Sequence, residues 1–168
     1  MYDSASDEGT PSYRVVDTFA EQAACIDVLL GLANARVRVF DFDLKHTGWS
    51  SAGRADALAR FLLGSREARL QVVVQDVRYL ETSCPRLTSL LRRFSAAITI
   101  YRAGSEARSA FDPLLIVDDR HFMHRFHYTQ PRAAVAIDQP GLAKPLVQRF
   151  DEIWATGEPG LTGDVLGL

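Results

Sequence analysis

The stretch Phe111-Asp-Pro-Leu-Leu-Ile-Val-Asp-Asp-Arg-His-Phe-Met-His-Arg-Phe126 decides the fold. Leu114 to Val117 is an unbroken apolar run, the pattern of a strand covered on both faces. Asp118 and Asp119 follow at once and supply a tight turn, because a short carboxylate side chain tolerates the backbone a turn needs. His121 to Arg125 then returns as a second strand, so the stretch reads as a β-hairpin.

The reading extends outward in both directions. Upstream, Thr18-Phe-Ala-Glu21 has capping-box spacing, and Phe19, Ala23, Ile26, Leu30 and Ala33 recur on one face of a helix. Asn34 is a plausible stop for it. Val37 and Val39 mark a strand at about 36–42, with a polar loop from Lys45 to Gly53 behind it. Ala55, Leu58, Phe61 and Leu62 give a second helix that Gly64 and Ser65 end. Leu70 to Gln75 is a second strand, and Pro85 suits the first residue of a helix carrying Leu87, Leu90, Leu91 and Phe94. Ile98 to Tyr101 is a third strand. Downstream of the hairpin, Ala133 to Ile137 is another strand. Leu142, Leu146, Phe150, Ile153 and Trp154 mark a last helix, with Phe150 and Trp154 as core anchors or a dimer seam. Strands separated by helices imply an α/β fold with a mixed, mostly parallel sheet flanked by helices on both faces.

The chain has 168 residues, 47% hydrophobic and 24% charged, which fits one globular domain with a real core. The expected organisation is a disordered tail over 1–12, the α/β domain over 13–156 and an irregular tail over 157–168. A formal net charge of −2 lends no global pull toward nucleic acid or an anionic membrane. No apolar run approaches the roughly 20 residues that span a bilayer. The start, MYDSASDEGTPS, is acidic and polar without the apolar core of a secretory signal. The expectation is therefore a cytoplasmic protein in which Cys25 and Cys84 are free, buried thiols.

Four segments carry a family resemblance. They are the helix "AACIDVLLGLANA" running into "RVRVFDFDL", the pair "ALARFLLGSREARLQVVVQD", the hairpin above and the closing "LVQRFDEIWA". Together they resemble one half of the phospholipase D-like fold, the superfamily defined by an H-x-K-x4-D motif, and most of all its small bacterial domains of unknown function. With Asp118 in the place of the motif's Asp, its His falls on Phe111 and its Lys on Pro113. In that family the His is the nucleophile and the Lys neutralises the phosphoryl oxygens. Phe111 supplies no nucleophile and Pro113 no charge, and Asp112 between them adds repulsion to any phosphoryl group. The resemblance therefore implies a non-catalytic binding or regulatory module, for a protein or a phosphate-bearing ligand. Because two halves share one site in the family, it also implies a homodimer. Asp118 is then structural, capping the turn before Arg120.

Other residues invite chemistry. His121, His124 and His127 form H-x-x-H-x-x-H, and a hydrolase using His121, His124 and Asp118 in the same cleft is the rival reading. Their spacing on a strand puts His124 opposite His121, so no metal site is expected, and no cofactor. Asp41, Asp43 and His46 follow the first strand's end and Asp76 the second's, where ligands of open α/β sheets bind; Trp49 could join them. Asp41, inside a strand, needs a cationic partner, which Arg38, Arg78 or Arg125 could be. Arg86, Arg92, Arg93 and Arg102 make a third reading, nucleic-acid binding. Net charge and the lack of interleaved aromatic residues disfavour nucleic acid as a partner. Cys84, before Pro85, sits where a helix start would stabilise a thiolate. Phosphate-loop, G-x-S-x-G, C-x-x-C and H-E-x-x-H motifs are absent from the sequence.

Overall fold

The computed structural model describes residues 10–162. In chain order the elements are β1 (Ser12–Val16), α1 (Phe19–Leu32), β2 (Arg36–Asp41), α2 (Ala52–Leu63), β3 (Arg69–Val74), α3 (Arg78–Ser83), α4 (Pro85–Arg93), β4 (Ile98–Arg102), β5 (Leu114–Val117), β6 (His121–Arg125), β7 (Ala133–Ile137), α5 (Pro140–Ala155) and β8 (Glu158–Leu161). The strands make one sheet in the order β1-β7-β6-β5-β2-β3-β4-β8.

The α/β class holds, but the sheet is mostly antiparallel. Only the pairs β2–β3 and β3–β4 run parallel. These are the strands that α2 and the α3–α4 pair join, and a helical crossover is what a parallel pair requires. The strands from β5 to β7 follow one another through turns, and turn-linked neighbours run antiparallel. β5 then lies antiparallel against β2.

Both faces are covered. Along β2, Val39 belongs to the apolar cluster that holds Ile26, Leu29, Leu58 and Phe61, while its neighbour Phe40 belongs to the one that holds Phe150 and Ile153 of α5. This alternation is the two-residue period of a strand. It places α1, α2 and α4 on one face and α5 on the other. Phe150 is fully buried, worth roughly 1.5–3 kcal/mol relative to exposure. At the start of α1 the Glu21 N–H donates to the Thr18 hydroxyl at 3.0 Å, and that hydroxyl donates to the Glu21 carboxylate. The capping-box residues thus close on each other through their side chains.

Both ends of the chain differ from expectation. Ser12, the last residue of the expected N-terminal tail, already belongs to β1, and residues 1–9 lie outside the described residues. Past Gly157 the chain is not irregular: β8 pairs antiparallel with β4. Gly160 lies so close to β4 that a Cβ would stand 3.0 Å from the Ile100 carbonyl oxygen. Residues 163–168 lie outside the described residues. Among the described residues no helix is long and apolar enough to cross a membrane.

Candidate functional site

The hairpin has a closed end and an open end, and the two ends do different things. At the closed end Asp118 and Asp119 both have left-handed backbone, φ 52° and 56°. They are the central residues of a turn closed by the Arg120 N–H on the Val117 carbonyl at 3.1 Å. Two such residues in succession match the right-handed twist of the flanking strands. Asp118 is structural, but it does not cap that turn. Its carboxylate accepts the backbone N–H groups of Asn34, Ala35 and Arg36, each at 2.8 Å, and so clamps the connection from α1 into β2.

At the open end stand the motif's other two positions. Pro113 is buried, and its carbonyl accepts the Arg125 N–H at 2.9 Å. Phe111 is 49% exposed. Its carbonyl accepts the Tyr128 N–H at 2.8 Å, which brings the loop after β6 alongside. Four rings gather there. Phe42 stacks on Tyr128 with centroids 4.7 Å apart and 14° between planes. Tyr128 stacks on His127 at 4.9 Å. Phe111 tilts against His127 at 5.7 Å and against Tyr128 at 6.1 Å. Beneath them Arg125 is buried. It donates to Gln22 at 2.9 Å, to the Tyr128 carbonyl at 3.3 Å and to Asp41 at 3.4 Å, and its guanidinium lies over Phe19. Arg125 is thus the partner Asp41 needs. Burial pushes the Asp41 carboxyl above the usual range, against the pull of Arg125. Arg38 faces α5 instead, with Asp119 and Asp151.

The histidines do not converge. His124 pairs with Leu114 at the open end and His121 with Val117 at the closed end, on opposite faces of β6. The set His121, His124 and Asp118 therefore does not assemble. The His121 Nδ1 accepts the Asp138 N–H at 2.8 Å, and burial, helped by Arg120, lowers its pKa. His127 bonds Thr129 at 2.7 Å. The His124 Nε2 lies 2.8 Å from Asp112, whose other oxygen holds Arg149. Burial works against charge on Asp112, but the bonds from His124 and Arg149 outweigh it and hold the carboxyl below its usual range.

The strand-end candidates separate. Asp43 and Asp76 share a shallow depression of about 380 Å³ with Lys45, Arg78 and Tyr79. His46 leaves this group to stack on Phe19 at 4.8 Å, and Trp49 is buried with its indole N–H on Thr47. Arg78 grips Asp76 with two nitrogens and lowers its pKa. Arg86, Arg92 and Arg93 lie exposed on α4, whereas Arg102 on β4 pairs with Glu158 at 3.0 Å. Cys25 and Cys84 are free and buried. Burial pushes the Cys84 thiol up to about 11, so the helix start makes no thiolate there. The four-ring cluster was the feature sequence reasoning missed. Its one local signal is the run Phe126-His127-Tyr128 after the hairpin.

Solved structures similar to this chain in fold include a member of the phospholipase D family. Nuc from Salmonella typhimurium aligns with a TM-score of 0.61 at 14% identity, covering 90% of this chain and 99% of its own. NucT from Helicobacter pylori aligns at 0.60 and 11%, covering 89% and 99%. The chain thus has the phospholipase D-like fold. TrmBL2, an archaeal chromatin protein described as showing a novel mode of DNA binding, aligns at 0.66 and 12% over 88% of this chain. The chain spans about half of TrmBL2, 54% of its length. A DNA-binding protein therefore shares the fold, and the expectation that disfavoured nucleic acid is withdrawn. No curated protein matches the chain by sequence. Residues 18–162 match the family described as "Domain of unknown function (DUF7931)", and the chain belongs to that family.

Proposed function

We propose that this domain is a non-catalytic binding module whose ligand surface is the open end of the β5–β6 hairpin. The observation that carries the reading is the pair Phe111 and Pro113. Where the superfamily motif has a nucleophile stands a half-exposed phenyl ring, and where it has a cation stands a buried proline. Removing a hydrolase's nucleophile alone costs on the order of a millionfold in kcat. A second identical copy would bring the same two residues, so pairing of copies restores neither group. The rings that crowd this end and the description of TrmBL2 as DNA-binding both support binding as the use of the surface.

The rival is a hydrolase that uses His124 as general base, oriented by Asp112 at 2.8 Å. Turnover of bis-p-nitrophenyl phosphate separates the two. The wild-type protein is expected to release p-nitrophenol no faster than buffer, with or without divalent metal. Turnover that survives purification and disappears in His124→Ala would replace this reading with the hydrolase.

A further inference from the structure

We propose that Phe111, backed by His127, Tyr128 and Phe42, is a stacking platform for unpaired nucleobases, so that the ligand of the hairpin's open end is single-stranded nucleic acid. The inference rests on the reading of that end as the binding surface and adds the class of ligand.

The rings are where they are for no reason of core packing. Two apolar clusters fill the two faces of the sheet, and Phe42, Phe111 and Tyr128 belong to neither. They pack on one another instead. Phe42, Tyr128 and His127 lie within 25° of parallel in succession, at spacings of 4.7 and 4.9 Å. Phe111 tilts outward from this stack and leaves about half its surface, 49%, open to water. A phenyl ring held by its neighbours and half open to water can offer a π-face at little entropic cost. Every base has such a face, and each base–ring stack contributes about the same whatever the sequence.

The backbone keeps the platform rigid. The Tyr128 N–H is fixed on the Phe111 carbonyl, and buried Arg125 fixes the Tyr128 carbonyl in turn. In the same loop the exposed Arg132, whose backbone carbonyl accepts the Phe126 N–H, makes a loose ion pair with exposed Asp17 at 3.9 Å, and Arg149, paired with Asp112, has a side chain 43% exposed. These can meet one or two phosphates. That is far less positive charge than a duplex-binding groove carries, and it suits a chain of net charge −2. Binding here would draw on stacking more than on counterion release. It would thus favour strands whose base faces are open over duplexes, in which those faces are covered.

The test is fluorescence anisotropy of a short labelled oligothymidylate at about 50 mM salt, where a few phosphate contacts still register. The wild-type protein is expected to bind it, to bind it more tightly than the oligoadenylate–oligothymidylate duplex, and to lose affinity only gently with added salt. Phe111→Ala should weaken binding roughly tenfold, within the range for one lost stack, while Phe111→Trp should preserve it. Because Phe111 is half exposed, circular dichroism should show both variants folded. Three results would overturn the proposal: no binding of the wild type at about 100 µM, the weak end of non-specific affinity; equal binding by Phe111→Ala; or a mass in light scattering that halves in Phe111→Ala, which would assign the ring to a second copy of the chain. Failure by any of these routes leaves the non-catalytic reading standing, since that reading falls only on diester turnover.

Discussion

The Asp118 carboxylate accepts the Arg36 N–H at 2.8 Å, joining residues 82 positions apart in sequence. Asn34 and Ala35 donate to the same carboxylate. Asp118 thus fastens the turn of the hairpin to the start of β2.

Losing that clamp should cost stability and nothing else. Asp118→Ala leaves three backbone donors without their carboxylate and places a Cβ-bearing residue less tolerant of left-handed backbone at φ 52°. A lost cap costs about 0.5–2 kcal/mol and a stranded donor about 1–3. Urea denaturation should therefore show a loss of about 1–3 kcal/mol. Asp118→Asn keeps one acceptor oxygen and tolerates the same backbone, so it should lose less. Equal losses would show that the carboxylate geometry is not what matters.

Stability should fall as the solution is acidified from pH 7 toward pH 5, through His121. Burial lowers its folded pKa below the ordinary imidazole value of about 6.5, and its Nδ1 accepts the Asp138 N–H, which requires the neutral ring. A base depressed by folding takes up its proton more readily in the unfolded chain. Its contribution is thus complete above about 6.5 and declines as pH falls toward the lowered value. His121→Asn retains an acceptor without the titration and should flatten the midpoint–pH curve over that interval. An unchanged slope in the variant would place the pH dependence elsewhere.

Gly104 should resist substitution. A Cβ there would lie 2.2 Å from the Thr156 carbonyl oxygen, where β4 passes the end of α5. No flexible side chain can yield, because the obstacle is backbone. Gly104→Ala should therefore destabilise by about 1–3 kcal/mol, as overpacking does. Gly53→Ala has open space and serves as the comparison. Equal melting temperatures for the two variants would contradict the packing described.

The elements that were legible in the sequence are those whose own residues decide them. Leu114 to Val117 is an unbroken apolar run and Leu70 to Val74 a β-branched one broken only by Gln71, both strand patterns in their own residues, and Thr18 with Pro85 announces where helices begin. β8 was not legible, because Glu-Pro-Gly-Leu has no preference for a strand and is one only through its pairing with β4. α3, six residues with Leu80 its one buried side chain, was hidden for the same reason. The antiparallel majority was not legible, because it comes from β5 lying on β2 and from β1 and β8 adding edges to the sheet, pairings that no local run of residues announces. At the site, the resemblance puts Phe111 and Pro113 where the superfamily motif has His and Lys, and it is carried by residues of a single hairpin. The ring cluster was not legible, because Phe42, Phe111 and Tyr128 meet only when β2, β5 and the loop after β6 come side by side.

The central claim is that this surface binds without cutting. Its most direct measurement is the length of a labelled single-stranded oligonucleotide recovered by denaturing electrophoresis after a long incubation with excess protein. The account predicts a full-length strand, bound in solution by wild type and poorly by Phe111→Ala, and intact in both. A ladder of shorter products with the wild type, abolished in His124→Ala, would contradict it.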